Sequence, residues 1–127
     1  MGDILGDAFA PLEAQLHFRV ARQAALAANL ANADTPGYRR VDLRFDDALA
    51  AAGAQLETSH PRHLAAGEGG TPYRLEMGPR GTRPDGNGVD LDTELVQAKR
   101  NAGSFEDMAG VLARIVALRR AAIGSGQ

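Results

Sequence analysis

Apolar residues recur at helical spacing over two long stretches, one near each end of the chain. Phe9, Leu12, Leu16, Val20, Ala27 and Leu30 share one narrow sector at about 100° per residue, interrupted by Gln23, which predicts an amphipathic helix over 11–33. Pro11 is tolerated in a first helical turn. Thr35-Pro36-Gly37-Tyr38 ends the helix, because a residue before proline avoids α geometry and Pro-Gly suits the centre of a type II turn. On the far side of this helix gather Ala14, Ala21, Ala25 and Ala28, small enough for a second helix to approach closely.

The second stretch predicts a helix over 91–123. Leu91, Ala98, Phe105 and Leu112 recur every seven residues, with Ala102, Ala109, Val116 and Ile123 as a companion row, a seam of coiled-coil type. Leu95 counts among the same packing positions. Asp90 is placed to cap this helix, and Asp92 and Glu94 put negative charge at its positive end. Gly103, Gly110 and Ala117 lie on the opposite side, and an interior glycine costs about 1 kcal/mol relative to alanine. Two readings of the glycines stay open: close approach by another backbone, or a break in the helix.

Between Gly53 and Gly88 lie eight of the fifteen glycines and four of the six prolines, so the middle, 34–90, reads as irregular. Within it Val41, Leu43 and Phe45 alternate with Asp42 and Arg44, predicting a short half-buried extended segment before Asp46-Asp47 caps a brief helix. The fold class is therefore mainly α. Long N- and C-terminal helices pair as an antiparallel coiled-coil-like domain, 1–127 as one unit, whose middle holds at most short β or helical pieces.

Composition narrows the picture further. A chain of 127 residues, 44% hydrophobic, has the size of one domain, but with 5% aromatics and no Trp its core must come from aliphatic side chains. The large apolar residues of the second helix are too few to offset the entropy of ordering it, so folding is expected to be completed in an assembly, with the free monomer partly disordered. Fourteen basic against sixteen acidic residues generate no field for gripping nucleic acid or an anionic membrane. Zero Cys excludes disulfides, thiolate metal sites and a Cys nucleophile. No run approaches the ~18 apolar residues of a membrane span. Met1 to Asp7 carries acids where a secretory signal carries positive charge.

Catalytic chemistry finds no footing. There is no G-x-S-x-G elbow. His60 and His63 lack a third metal ligand, and His17 stands alone. Asp85-Gly86-Asn87-Gly88-Val89-Asp90 opens like a calcium loop, yet Val stands fifth and Val96 twelfth. Gly67-Glu68-Gly69-Gly70 has neither the flanking strand nor the Lys-Ser/Thr of a phosphate loop. Arg39-Arg40 and Arg119-Arg120 follow or close helices, where cations suit the local dipole. No enzyme is expected, and no catalytic, cofactor-binding or metal-binding residue is assigned.

ANLANADTPGYRR at 28–40 resembles the N-terminal motif of the flagellar rod, hook and related axial proteins. VDLRFDDAL at 41–49 and DGNGVDLDTELVQAKRNAGSF at 85–105 look like the basal-body rod proteins of that family, with Gly88 where a second Asn is usual and Phe105 where Tyr is usual. Residue by residue, Asn29, Asn32, Thr35, Pro36, Gly37 and Tyr38 fall on the N-terminal motif, and Asn87, Val89, Asp90, Glu94 and Asn101 on the C-terminal one. The resemblance implies structural roles for them, while the apolar periodicity itself assigns helix packing or assembly to Leu12, Leu16, Val20, Ala27, Leu30, Leu91, Leu95, Phe105, Leu112, Val116 and Ile123.

The resemblance further implies terminal helices forming a coiled-coil domain and subunits stacking helically into the proximal rod to transmit torque. It implies a periplasmic location, reached through the flagellar type III export apparatus without a cleavable signal, with the ring-to-rod adaptor FliE, the rod protein FlgC and further rod subunits as neighbours. The short middle leaves no room for the inserted β domain of distal rod or hook proteins. The competing reading is a soluble coiled-coil adaptor or export chaperone that does not polymerise.

Overall fold

The computed structural model describes residues 4–46 and 72–126. Its elements are helix α1 (Ile4–Ala31), strand β1 (Val41–Phe45), strand β2 (Tyr73–Met77) and helix α2 (Leu91–Gly124). The chain is mainly helical, with a small two-stranded sheet beside the helices. The brief helix expected after Asp46-Asp47, the pair His60 and His63, and Gly67–Gly70 lie outside the described residues.

α1 starts at Ile4, earlier than expected, so that Pro11 sits inside it. An interior proline costs about 3 kcal/mol relative to alanine, but its fixed φ is already helical, so it deletes a backbone hydrogen bond without forcing an end. At the other end α1 stops at Ala31. The amides of Asn32 and Ala33 then tighten back onto the carbonyls of Asn29 and Leu30. The Thr35–Tyr38 turn closes as its Pro-Gly pair requires: the Tyr38 amide donates to the Thr35 carbonyl at 3.2 Å, and Gly37 takes φ 71°.

β1 forms where the alternation placed it. β2, YRLEM, has the same period-two alternation and pairs antiparallel with β1, from Val41 opposite Met77 to Phe45 opposite Tyr73. This hairpin occupies the side of α1 that carries Phe18. The Phe18 ring meets Phe45 edge-on at 5.5 Å and lies 5.9 Å from Tyr73. Ala14, Ala21 and Ala25 are half-buried along the same stripe at steps of three and four residues. The small face of α1 thus flanks the β hairpin, where a second helix was expected.

α1 and α2 lie alongside each other with contacts advancing in opposite chain directions: Arg19 bonds to Asn101, Arg22 to Gln97 and Asn29 to Glu94. The centre of this contact is polar, which the apolar rows do not predict. Among the described residues the buried apolar side chains are Phe18, Leu26 and Val89, whereas Asn29, Asn87, Glu94 and Asn101 are buried and polar. The seam of α2 lies round the helix from Glu94 and Asn101. Ala98, Phe105 and Leu112 are half-buried there, and Leu91, Leu95, Val116 and Ile123 are exposed. On α1 the same division holds, with Leu12, Leu16 and Leu30 half-buried and Val20 and Ala27 exposed. Much of the predicted seam is therefore an outer face of the single chain.

α2 runs unbroken through Gly103 and Gly110, so neither ends the helix. Among the described residues, a Cβ at either position would meet no atom of another element within 4 Å, so none of their backbone packs against these glycines.

Candidate functional site

The residues of the two motif blocks, roughly fifty positions apart in sequence, meet at the end of the helix pair where α1 finishes and α2 begins. Backbone bonds stitch the loops together: the Gly37 amide donates to the Asp85 carbonyl at 2.8 Å, the Gly88 amide to Tyr38 at 2.9 Å and the Gly78 amide to Arg40 at 2.7 Å. The Arg39 guanidinium donates twice to the Gly78 carbonyl. Asn87, buried, donates from Nδ2 to the carbonyls of Asn32 and Thr35, and its Oδ1 accepts the Val89 amide at 2.7 Å. One side chain thereby satisfies the open carbonyls after α1 and holds the chain leading into α2.

Two glycines make this crossing possible. A Cβ on Gly81 would stand 1.8 Å from the Asn87 carbonyl oxygen, so no side chain fits there. A Cβ on Gly88 would lie 3.1 Å from the Pro79 carbonyl oxygen, a tight contact at the position where the family resemblance leads one to expect Asn.

Deeper in, Asn29 acts as a surrogate strand partner for β1. Its Oδ1 accepts the Val41 amide at 2.9 Å and its Nδ2 donates to the Val41 carbonyl at 2.6 Å. The same amide group donates to Glu94 Oε2 at 3.0 Å and accepts the Tyr38 hydroxyl at 3.2 Å. Glu94 also accepts from Arg40 Nε. Arg40 in turn donates to Asp42 at 3.0 Å, and Asp42 receives Arg22 at 2.8 and 3.1 Å, while Arg22 reaches Gln97 at 3.2 Å. One turn further along α2, Asn101 donates to the Arg19 carbonyl and to Gln23, both at 2.8 Å.

Charges alternate along this chain of contacts, Glu94, Arg40, Asp42, Arg22, so each cation sits against a carboxylate. Burial opposes the charge on Asp42, but bonds from Arg22, the Leu43 amide and Arg40 outweigh it and hold the carboxyl below its ordinary range. Burial likewise opposes the charge on Arg40, and Glu94 and Asp42 more than reverse the effect. At the mouth of α2, the Asp90 carboxylate accepts the Thr93 amide at 2.9 Å as an N-cap, and the amide and hydroxyl of Thr93 lower its pKa.

The structure thus brings together Asn29, Asn32, Thr35, Pro36, Gly37, Tyr38, Asn87, Val89 and Glu94 in one clasp, with Asp90 capping beside it and Asn101 beyond it. It adds residues the sequence reading did not assign to the site: Arg22, Arg40, Asp42 and Gln97. Their signal was charge placed inside otherwise apolar periodicity, in Asp42 between Val41 and Leu43 above all. Among the described residues no group of His, Asp and Glu has the arrangement of a metal site, and no helix is long and apolar enough to cross a membrane.

A clasp of backbone-satisfying amides builds a structural joint. Comparison with known proteins gives that joint a family. A family model described as flagella basal body rod protein matches residues 19–39, the stretch from Arg19 through the Pro-Gly turn. The flagellar basal body rod protein FlgB of Proteus mirabilis (strain HI4320) is 38% identical over 120 residues, covering 84% of this chain and 85% of its own length. The FlgB proteins of Aeromonas hydrophila and Escherichia coli (strain K12) are 36% and 35% identical, each over 72% of this chain.

The chain belongs to the FlgB family of flagellar basal body rod proteins. It is a structural component of the flagellar basal body rod and not an enzyme, and other basal body proteins are its partners. Within this rod-protein family context the matched segment holds Asn29, the turn and Tyr38, the N-terminal half of the clasp.

Proposed function

We propose that this rod-family chain stacks helically in the proximal rod and transmits torque through its terminal helices, using one face for the internal clasp and another for its neighbours. The observation that carries this reading is the separation of the two: hydrogen bonds hold α1 to α2, while Leu91, Leu95, Val116 and Ile123 of the apolar seam are 52%, 44%, 36% and 67% exposed. In an isolated protein such a stripe is a liability, and in a polymer it is a contact surface. Filled by neighbours, the seam becomes the coiled-coil packing that its seven-residue spacing describes. The motif residues then serve to fix the relative position of the helices, so that torque passes through a joint of defined geometry.

Its neighbours in this reading are copies of itself, FlgC, FliE at the membrane ring and further rod subunits. Delivery is through the flagellar type III apparatus without a cleavable signal, and the assembled protein resides in the periplasmic rod. The test is a strain whose only copy carries Leu95→Asp and Val116→Asp, both at exposed positions. Loss of swimming and of rods, with the purified variant folded as before, supports the reading. Normal swimming contradicts it, and favours a soluble adaptor or export chaperone.

A further inference from the structure

The asparagine at the centre of the clasp is followed by glycine. Asn87-Gly88 is the only Asn-Gly pair of the chain, since Asn29, Asn32 and Asn101 are followed by leucine or alanine. In an open chain such a pair is chemically labile, because glycine has no Cβ to keep its backbone nitrogen away from the preceding side chain. The Gly88 nitrogen gives up its proton to solvent base and attacks Asn87 Cγ. A Cγ–N bond forms, the Cγ–Nδ2 bond breaks, and Nδ2 takes up a proton and leaves as ammonia. Water then opens the resulting cyclic imide at either carbonyl, leaving an aspartyl or an isoaspartyl residue at position 87.

In the folded chain the reacting groups are all engaged. The Gly88 amide donates to the Tyr38 carbonyl at 2.9 Å, which holds the proton that attack must remove. Nδ2 of Asn87 donates to the carbonyls of Asn32 and Thr35 at 2.9 and 2.8 Å, and Oδ1 accepts the Val89 amide at 2.7 Å. Attack would turn Cγ from planar to tetrahedral and swing Nδ2 off both acceptors, so these bonds must break first. Asn87 is 1% exposed, which also keeps solvent base away. Glycine is nonetheless what the crossing of the loops favours: a Cβ on Gly88 would lie 3.1 Å from the Pro79 carbonyl oxygen, and a Cβ on Gly81 would stand 2.6 Å from the Gly88 nitrogen. The residue that lets the loops cross is the one that endangers Asn87 whenever they part.

We propose that Asn87 is a modification site gated by the clasp, its amide lost by deamidation while the clasp is open and kept while it is closed. This goes beyond the rod reading and rests on the clasp geometry alone. The product does not fit back. A carboxylate has no hydrogen to donate to the carbonyls of Asn32 and Thr35, and it sets a buried negative charge against their oxygens. The isoaspartyl form also adds a methylene to the backbone. A chain left open therefore loses the side chain that would close it.

The purified full-length chain is incubated in mildly alkaline buffer across a urea series, and deamidation is followed by mass spectrometry of the tryptic peptide 81–99, whose only asparagine is Asn87. Isomerisation at Asp85-Gly86 in the same peptide leaves the mass unchanged. The rate at Asn87 should rise with the unfolded fraction measured on the same samples by circular dichroism, at least about tenfold from native buffer to full unfolding, because only opened chains react. A rate that stays flat through the unfolding transition, or no loss at Asn87 in urea, overturns the proposal. In full denaturant, where folding plays no part, Gly88→Ala should slow the reaction about tenfold or more, and an unchanged rate contradicts the role of the glycine. Deamidated chain, separated by its added negative charge and refolded, should show a urea midpoint lower by about 1 M than unmodified chain taken through the same steps. Equal midpoints would contradict the claim that the amide is what the clasp needs.

Discussion

Asn29 Nδ2 donates to Glu94 Oε2 at 3.0 Å, joining residues sixty-five positions apart, both with no solvent exposure. The bond crosses from α1 to α2 at the level where β1 also packs, so three elements depend on one amide. Leaving buried donors and acceptors unpaired costs about 1–3 kcal/mol for each group.

Asn29→Ala strands the Val41 amide, one oxygen of Glu94 and the Tyr38 hydroxyl together. A loss of about 2–4 kcal/mol in urea unfolding is expected. A change below 0.5 kcal/mol would show that the clasp does not hold the helices.

Glu94→Gln keeps the shape and removes the charge facing Arg40. Because Arg40 is partly exposed, the expected loss is about 1–3 kcal/mol, below the roughly 3–5 kcal/mol of a fully buried pair. Leu91→Ala, at an exposed seam position, should change the stability of the free chain by less than about 0.5 kcal/mol and still impair rod assembly. Urea unfolding together with a swimming assay on both variants separates the two surfaces.

Part of this arrangement was legible in the sequence. The existence of two long terminal helices, the Pro-Gly turn with its left-handed Gly37, the Asp90 cap and the β1 alternation follow from local stereochemistry, which acts over a few residues, whereas the early start of α1 at Ile4, with Pro11 inside it, was not read. The partner of β1 carried the same alternation in Tyr73, Leu75 and Met77, but lies almost thirty residues further on. Face assignment was not legible. Heptad spacing says that a seam will be covered, not whether by the same chain, and nothing local tells Asn101 or Glu94 that it will be buried. Those positions are decided by long-range hydrogen bonds, in which Arg22 and Gln97 meet across seventy-five residues.

The glycines of α2 give a sign test. With open space around each, Gly103→Ala and Gly110→Ala should stabilise the free chain by about 0.5–1 kcal/mol apiece in thermal or urea unfolding. If either variant then fails to build rods, a neighbouring subunit approaches that glycine closely. Gly81→Ala should do the opposite and destabilise the clasp by at least about 1–3 kcal/mol, because backbone opposes its Cβ.

Acid should weaken the clasp through Asp42. Its pKa is held below the ordinary 3.8, so the stability it confers is complete above that value and is lost as pH falls through the lower folded one. Unfolding measured between about pH 5 and 2 should be less steep in Asp42→Asn than in the parent chain, although the variant is weaker at neutral pH. An identical pH slope would deny Asp42 its paired state.

The central claim, that the clasp is internal and the apolar seam is for neighbours, is tested most directly by maleimide labelling of Leu95→Cys and Val116→Cys in a chain that otherwise lacks cysteine. Both thiols should react rapidly in the purified chain and become protected in intact basal bodies. Equal reactivity in the two states would contradict the account.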